Sequence, residues 1–131
     1  DSLFSEEIIN KYHIFFIYDV RLYLETLEQL KILEADIYLP SHCEPMKEIQ
    51  SLVNINKMKI EEIINAILEF CQTQKSFEDI LKHIFDRYSL KLDANQYVLV
   101  GSTIKSYLSY MVEQELITYN FSENKMFWNK I

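Results

Sequence analysis

The sequence predicts a mainly α-helical protein with short β-structure, an α+β fold. Three observations predict it. Apolar side chains recur at steps of three and four through most of the chain, the spacing of one helix face. Glycine and proline, which interrupt helices, number only one and two in 131 residues. Two short runs rich in β-branched and aromatic residues lie close together at the C-terminus.

The elements follow in chain order. Ile14-Phe15-Phe16-Ile17-Tyr18 reads as a strand or as the lead-in to a helix. Without an upstream sheet to cover it, this surface is expected to be exposed and prone to association. Asp19 is placed as an N-cap for Val20, Tyr23, Leu24, Leu27 and Leu30, with the helix reaching about Glu34. Asp36–Leu39 reads as a short strand stopped by Pro40. Helix resumes after Pro45, where Ile60, Ile63, Ile64, Ile67, Leu68 and Cys71 form one stripe. Ser76 with Asp79 fits a capping box opening Phe77, Ile80, Leu81, Ile84, Phe85 and Tyr88. Asp93 with Gln96 fits another, opening a long helix through Val100, Ile104, Tyr107, Leu108, Met111 and Val112. Gly101 inside that helix costs about 1 kcal/mol relative to Ala, and suggests a close helix crossing. Leu116–Phe121 and Met126–Trp128, separated by Ser122-Glu123-Asn124-Lys125, read as a hairpin. Three amphipathic helices and a hairpin are the order of a winged-helix domain, expected over residues 57–131. Residues 1–56 form the other unit, with the boundary near 46–57 inside a helix.

Composition narrows the function classes. At 49% apolar and 14% aromatic residues, the chain can fill one core or two small ones, and disorder is not expected. Residues 1–56 hold ten acidic and four basic side chains, a balance of −6; residues 57–131 hold ten and nine, a balance of −1. Neither half is the basic surface that phosphate binding requires. Cys43 and Cys71 offer no disulfide framework and read as reduced thiols of a cytoplasmic protein. No apolar run is long enough for a membrane span, and no signal-peptide pattern opens the chain. The start at Asp1, without Met, suggests a piece of something longer.

The stretch Asp36-Ile37-Tyr38-Leu39-Pro40-Ser41-His42-Cys43-Glu44-Pro45 leads a β-prone run into a histidine at the mouth of a Pro-bounded loop. It resembles the late part of a metallo-β-lactamase-fold hydrolase, where a strand ends in Ser-His-Gly-Glu-Pro or a close variant. The resemblance implies that His42 is a metal ligand. Asp1-Ser2-Leu3-Phe4 is similar to the family's Gly-Asp-x-Leu-Phe, which implies that Asp1 is a bridging carboxylate ligand. The family's principal motif, His-x-His-x-Asp-His, does not occur in these residues. Cys43 stands where the family has Gly and its backbone takes positive φ. A thiol beside His42 is a soft ligand or, more simply, packed interior. Tyr107-Leu108-Ser109-Tyr110-Met111 and Phe127-Trp128 look similar to the family's helical C-terminal extension.

The resemblance therefore implies the C-terminal portion of a hydrolase. The parent carries one or two Zn²⁺ or Fe/Mn-type ions and activates water against an ester, thioester or amide bond. The chain itself is expected to be inactive, to lack the ion, and to pack against the remaining hydrolase domain or a second subunit, as in a homodimer. His13 and His83 read as surface or boundary residues, and Glu44 as a loop-orienting or solvated carboxylate. The alternative is a winged-helix regulatory or interaction module with DNA as partner. Lys105 is the one basic residue between Asp93 and Leu116, too few for groove reading with Asn95 and Gln96.

Overall fold

Among the described residues, four of the five helices start behind a polar side chain that caps the first turn; the longest, Gln50–Phe70, starts behind Ile49 and has no such cap. The computed structural model describes residues 2–131. The elements are α1 (Glu6–Tyr12), α2 (Val20–Ile32), α3 (Gln50–Phe70), β1 (Lys75–Ser76), α4 (Phe77–Arg87), α5 (Ala94–Glu113), β2 (Ile117–Ser122) and β3 (Lys125–Lys130). The Asp19 carboxylate accepts from the Leu22 amide at 2.9 Å and opens α2. Ser76 and Asp79 form the full reciprocal box that opens α4. Asp93 accepts from the Gln96 amide at 2.8 Å and opens α5. Ser5 does the same for α1, a helix absent from the periodicity reading because it holds only 7 residues.

The strands form one antiparallel sheet in the order β1-β3-β2. Tyr119 lies opposite Trp128 and Phe121 opposite Met126 in the hairpin. Its turn, Glu123-Asn124, has φ of 50° and 60°, the double positive φ that matches a two-residue turn to strand twist. β1 escapes a sequence reading because it is two residues long and exists only by pairing with Phe127 and Trp128.

The main core joins Ile60, Ile63 and Ile67 of α3, Ile80, Leu81 and Ile84 of α4, and Ile104, Tyr107, Leu108 and Met111 of α5. Ile9, Ile14, Phe15, Ile17 and Val20 belong to the same core. Leu3, Leu27, Ile49, Leu52 and Val53 form a smaller cluster at the other end of α3. Tyr23 and Leu24 of α2 pack against both.

Several expectations are corrected. The apolar run 14–18 is neither strand nor exposed surface: Ile14, Phe15 and Ile17 are buried, while Phe16 and Tyr18 point outward. Its backbone is satisfied by α5 rather than by a sheet. Thr103 Oγ1 accepts from the Ile17 amide at 3.2 Å, and Ser106 Oγ donates to the Tyr18 carbonyl at 2.6 Å. α2 ends at Ile32, before Glu34, with Leu33 already extended. Gly101 is not demanded by a close crossing. A Cβ there would meet the Phe77 Cζ at 3.5 Å, ordinary van der Waals contact. Among the described residues no helix is long and apolar enough to cross a membrane.

Asn56 joins the N-terminal segment to α3. It is fully buried, and its Nδ2 donates to the Phe4 and Leu52 carbonyls at 2.8 Å each. Its Oδ1 accepts from the Phe4 amide at 3.0 Å and the Tyr23 hydroxyl at 2.9 Å. Replacing it with Leu would strand all these partners. Asn56→Leu is expected to cost about 2–4 kcal/mol in urea denaturation, against less than about 0.5 for Asn54→Ala on the exposed face. Gly101→Ala is expected to raise stability by about 0.5–1 kcal/mol, read as a higher urea midpoint at unchanged slope.

Candidate metal-ligand loop

Residues 33–49 connect α2 to α3 and carry His42. The loop is organised around Tyr38. Its hydroxyl donates to the Leu33 carbonyl and accepts from the Ala35 amide at 3.1 Å. Its backbone exchanges both hydrogen bonds with Met46, at 2.8 and 3.0 Å. The expected strand Asp36–Leu39 therefore reduces to a single antiparallel bridge, Tyr38 to Met46. β-propensity supplied the residues, but only Met46 is present to pair with them.

A tight turn follows, closed by the Cys43 amide on the Pro40 carbonyl at 3.3 Å. The left-handed residue is His42, with φ of 62°, and not Cys43. The Gly-to-Cys difference at 43 therefore imposes no positive-φ strain at that residue. Histidine is among the residues that enter this region more readily than most. His42 is exposed at the turn, and the Cys43 side chain is half-buried against Leu27, Ile49, Leu52 and Val53. His42, Cys43 and Glu44 share an open depression with Ser5, Glu6, Glu7 and Leu52. The fold thus brings the loop beside the segment that leads into α1. Asp1, the other expected ligand, lies outside the described residues.

The remaining histidines are held elsewhere, by aromatic stacking. His83 lies flat on Phe70, ring centroids 4.1 Å apart. Burial and nearby Arg87 lower its pKa. His13 stacks on Tyr88 at 4.7 Å, and its Nδ1 lies 3.2 Å from Lys59 Nζ. Cys71 is fully buried, and burial pushes its thiol up to about 11, so it stays protonated. Among the described residues no group of three or more His, Cys, Asp or Glu side chains converges where an ion could sit. These residues alone do not fit a catalytic metal, which needs three protein ligands and an open position.

The cluster around Lys59 was not anticipated. One signal for it exists in the sequence: Asn56, Lys59, Ile60, Ile63 and Ile67 share one helix face, so a lysine falls on a buried stripe.

No family model matches the sequence, and no curated protein matches it. The fold does have a solved counterpart, a beta-lactamase domain protein from Burkholderia ambifaria. The likeness has a TM-score of 0.74 at 17% sequence identity and covers 86% of this chain. This chain spans only 33% of that protein's chain. The two share a fold over that stretch.

The Tyr38 hydroxyl is the loop's internal brace. Tyr38→Phe is expected to lower global stability by about 0.5–1.5 kcal/mol. Amide exchange at Ala35 should accelerate more than exchange within α5.

Proposed function

We propose that this chain is the C-terminal part of a metallo-β-lactamase-fold hydrolase, with residues 1–56 closing the hydrolase domain and 57–131 forming a winged-helix-like extension. The observation that carries the proposal is the fold shared with a beta-lactamase domain protein of which this chain spans 33%. The Ser41-His42-Cys43-Glu44-Pro45 loop adds to it. So does the order of elements: β1 lies between α3 and α4 and pairs with the hairpin that follows α5.

The proposed parent reaction is hydrolysis of an ester, thioester or amide bond by water activated on one or two Zn²⁺ ions. This chain would supply His42 and Asp1 to that centre. Its other ligands would come from residues that precede this stretch. Leu33, Ile37 and Leu39 of the loop, and Ile32 just before it, are each at least half exposed. In the proposal these side chains are covered by the rest of the hydrolase domain or by a second subunit.

In a longer protein that contains these residues, His42→Ala should lower kcat/KM against ester or thioester substrates by about 100-fold or more and reduce bound zinc. The 131-residue chain with added Zn²⁺ should show no turnover. Robust turnover by the short chain, abolished by His42→Ala, would overturn the reading. A DNA-binding module is the alternative; Lys105 Nζ lies over the Phe77 ring at 4.8 Å and lines a groove with Glu113. DNA binding that falls steeply with salt and is lost in Lys105→Glu would favour it instead.

A further inference from the structure

We propose that His13 is a proton-gated latch, holding α1 and the 13–18 segment against α3 and α4 when neutral and releasing them when protonated. The proposal stands on geometry that the hydrolase reading does not use.

His13 ends α1 in a strained conformation, φ 56° and ψ −53°. The Ile14 amide bonds the Tyr12 carbonyl at 2.6 Å, closing a three-residue turn around His13. Such a γ-turn with positive central φ is rare and persists only where surroundings hold it. Those surroundings are explicit. The imidazole stacks on Tyr88 of α4, and its Nδ1 faces Lys59 Nζ of α3. An ammonium can only donate, so Nδ1 must accept, which fixes the neutral tautomer with its proton on Nε2.

Lys59 has nowhere to go. It is 7% exposed, with its Nζ 3.1 Å from Glu62 Oε1 and 4.5 Å from the centre of the Tyr88 ring. Tyr88 in turn donates its hydroxyl to the same Glu62 oxygen at 2.6 Å. Protonating Nδ1 would destroy an acceptor and set two cations 3.2 Å apart, one of them buried.

Every charged group facing the ring counts in the balance. From α3 these are Lys59 and Glu62; from the end of α4, Arg87, whose guanidinium lies 5.9 Å from the Tyr88 ring centre; Lys11 of α1 lies over the Tyr12 ring instead. Glu62 favours imidazolium, but its carboxylate is already bonded to Lys59 and Tyr88; the Tyr88 face stacked on the ring also favours a cation. Burial first and Lys59 second lower the His13 pKa, against the opposing pull of Glu62. The sign follows. A group whose folded pKa lies below its unfolded value near 6.5 contributes stability above that value. The contribution fades as pH falls through the folded pKa.

Release would act on the segment that lines the His42 depression, since Ser5, Glu6 and Glu7 open α1. The latch therefore couples a proton on one side of α1 to the position of the loop beside its other end.

The test follows amide exchange of residues 6–18 between pH 7.5 and 5, corrected for intrinsic rates, with the imidazole titrated by NMR in the same chain. In the wild type, protection of this segment should fall toward pH 5, over the range in which the His13 ring titrates, while the centre of α5 holds. The His13 ring should titrate below 6.5. His13→Gln, which keeps an acceptor for Lys59 and cannot be protonated in this range, should show a flat profile. Lys59→Gln should blunt the acid loosening and bring the His13 titration closer to 6.5. A wild-type imidazole titrating at or above 6.5, or equal acid loosening in His13→Gln, would overturn the proposal. The titration needs no variant, so a failure to fold leaves the test intact.

Discussion

Side chains that leave a helix to satisfy somebody else's backbone hold this protein together. The N-terminal half has long irregular stretches, and their amides and carbonyls cannot be buried without partners. Asn56 serves Phe4, Thr103 serves Ile17, and Ser106 serves Tyr18. Each partner sits on a long helix, α3 or α5, whose own backbone bonds are complete. Irregular chain thereby acquires the rigidity of the helix it lies on. Because α3 runs unbroken from Gln50 to Phe70, it contributes Leu52 and Val53 to one core and Ile60 to Ile67 to the other. The N-terminal loops and the C-terminal helices are mechanically joined through it.

The His42 loop shows the same economy. It has no sheet behind it, yet Tyr38 fixes it at both ends, through its side chain to Leu33 and through its backbone to Met46. A left-handed residue then turns the chain so that an imidazole stands at the apex. Rigid presentation of one side chain is what a loop of this length can achieve alone. A hydrolytic centre needs further ligands converging from other elements.

Much of the helical half was legible because its signals are local. Ser76-Asp79 and Asp93 mark helix starts with side chains that act three residues away, and the Ile60–Cys71 and Ile80–Ile84 stripes declare their own buried faces. The hairpin was legible for the same reason. In the N-terminal half α2 was legible in the same way, from Asp19 and the Val20–Leu30 stripe, but the irregular stretches were not, because their conformation depends on distant partners. Nothing in Ile14–Tyr18 announces that Thr103 and Ser106 will take its backbone bonds, so an apolar alternation looks like a strand. Asp36–Leu39 has strand composition without a second strand to pair with. Of the candidate site, the histidine at the turn was readable and its left-handed backbone was assigned one residue too late. The Lys59 cluster gave only the faint sign of a cation on an apolar stripe.

One further consequence lies in how the chain turns corners. His13, His42, Ser89, Glu115, Glu123 and Asn124 all take positive φ, and the lone glycine is spent inside a helix. Each such residue carries conformational tension of about 1 kcal/mol that a hydrogen atom in place of a side chain would relieve. Bulkier joints also narrow the disordered ensemble, so less freedom is surrendered on folding. The molecule therefore resembles a set of stiff rods joined by sprung hinges. The two effects oppose each other, so glycine at these positions would relax the native backbone and loosen the unfolded chain at once.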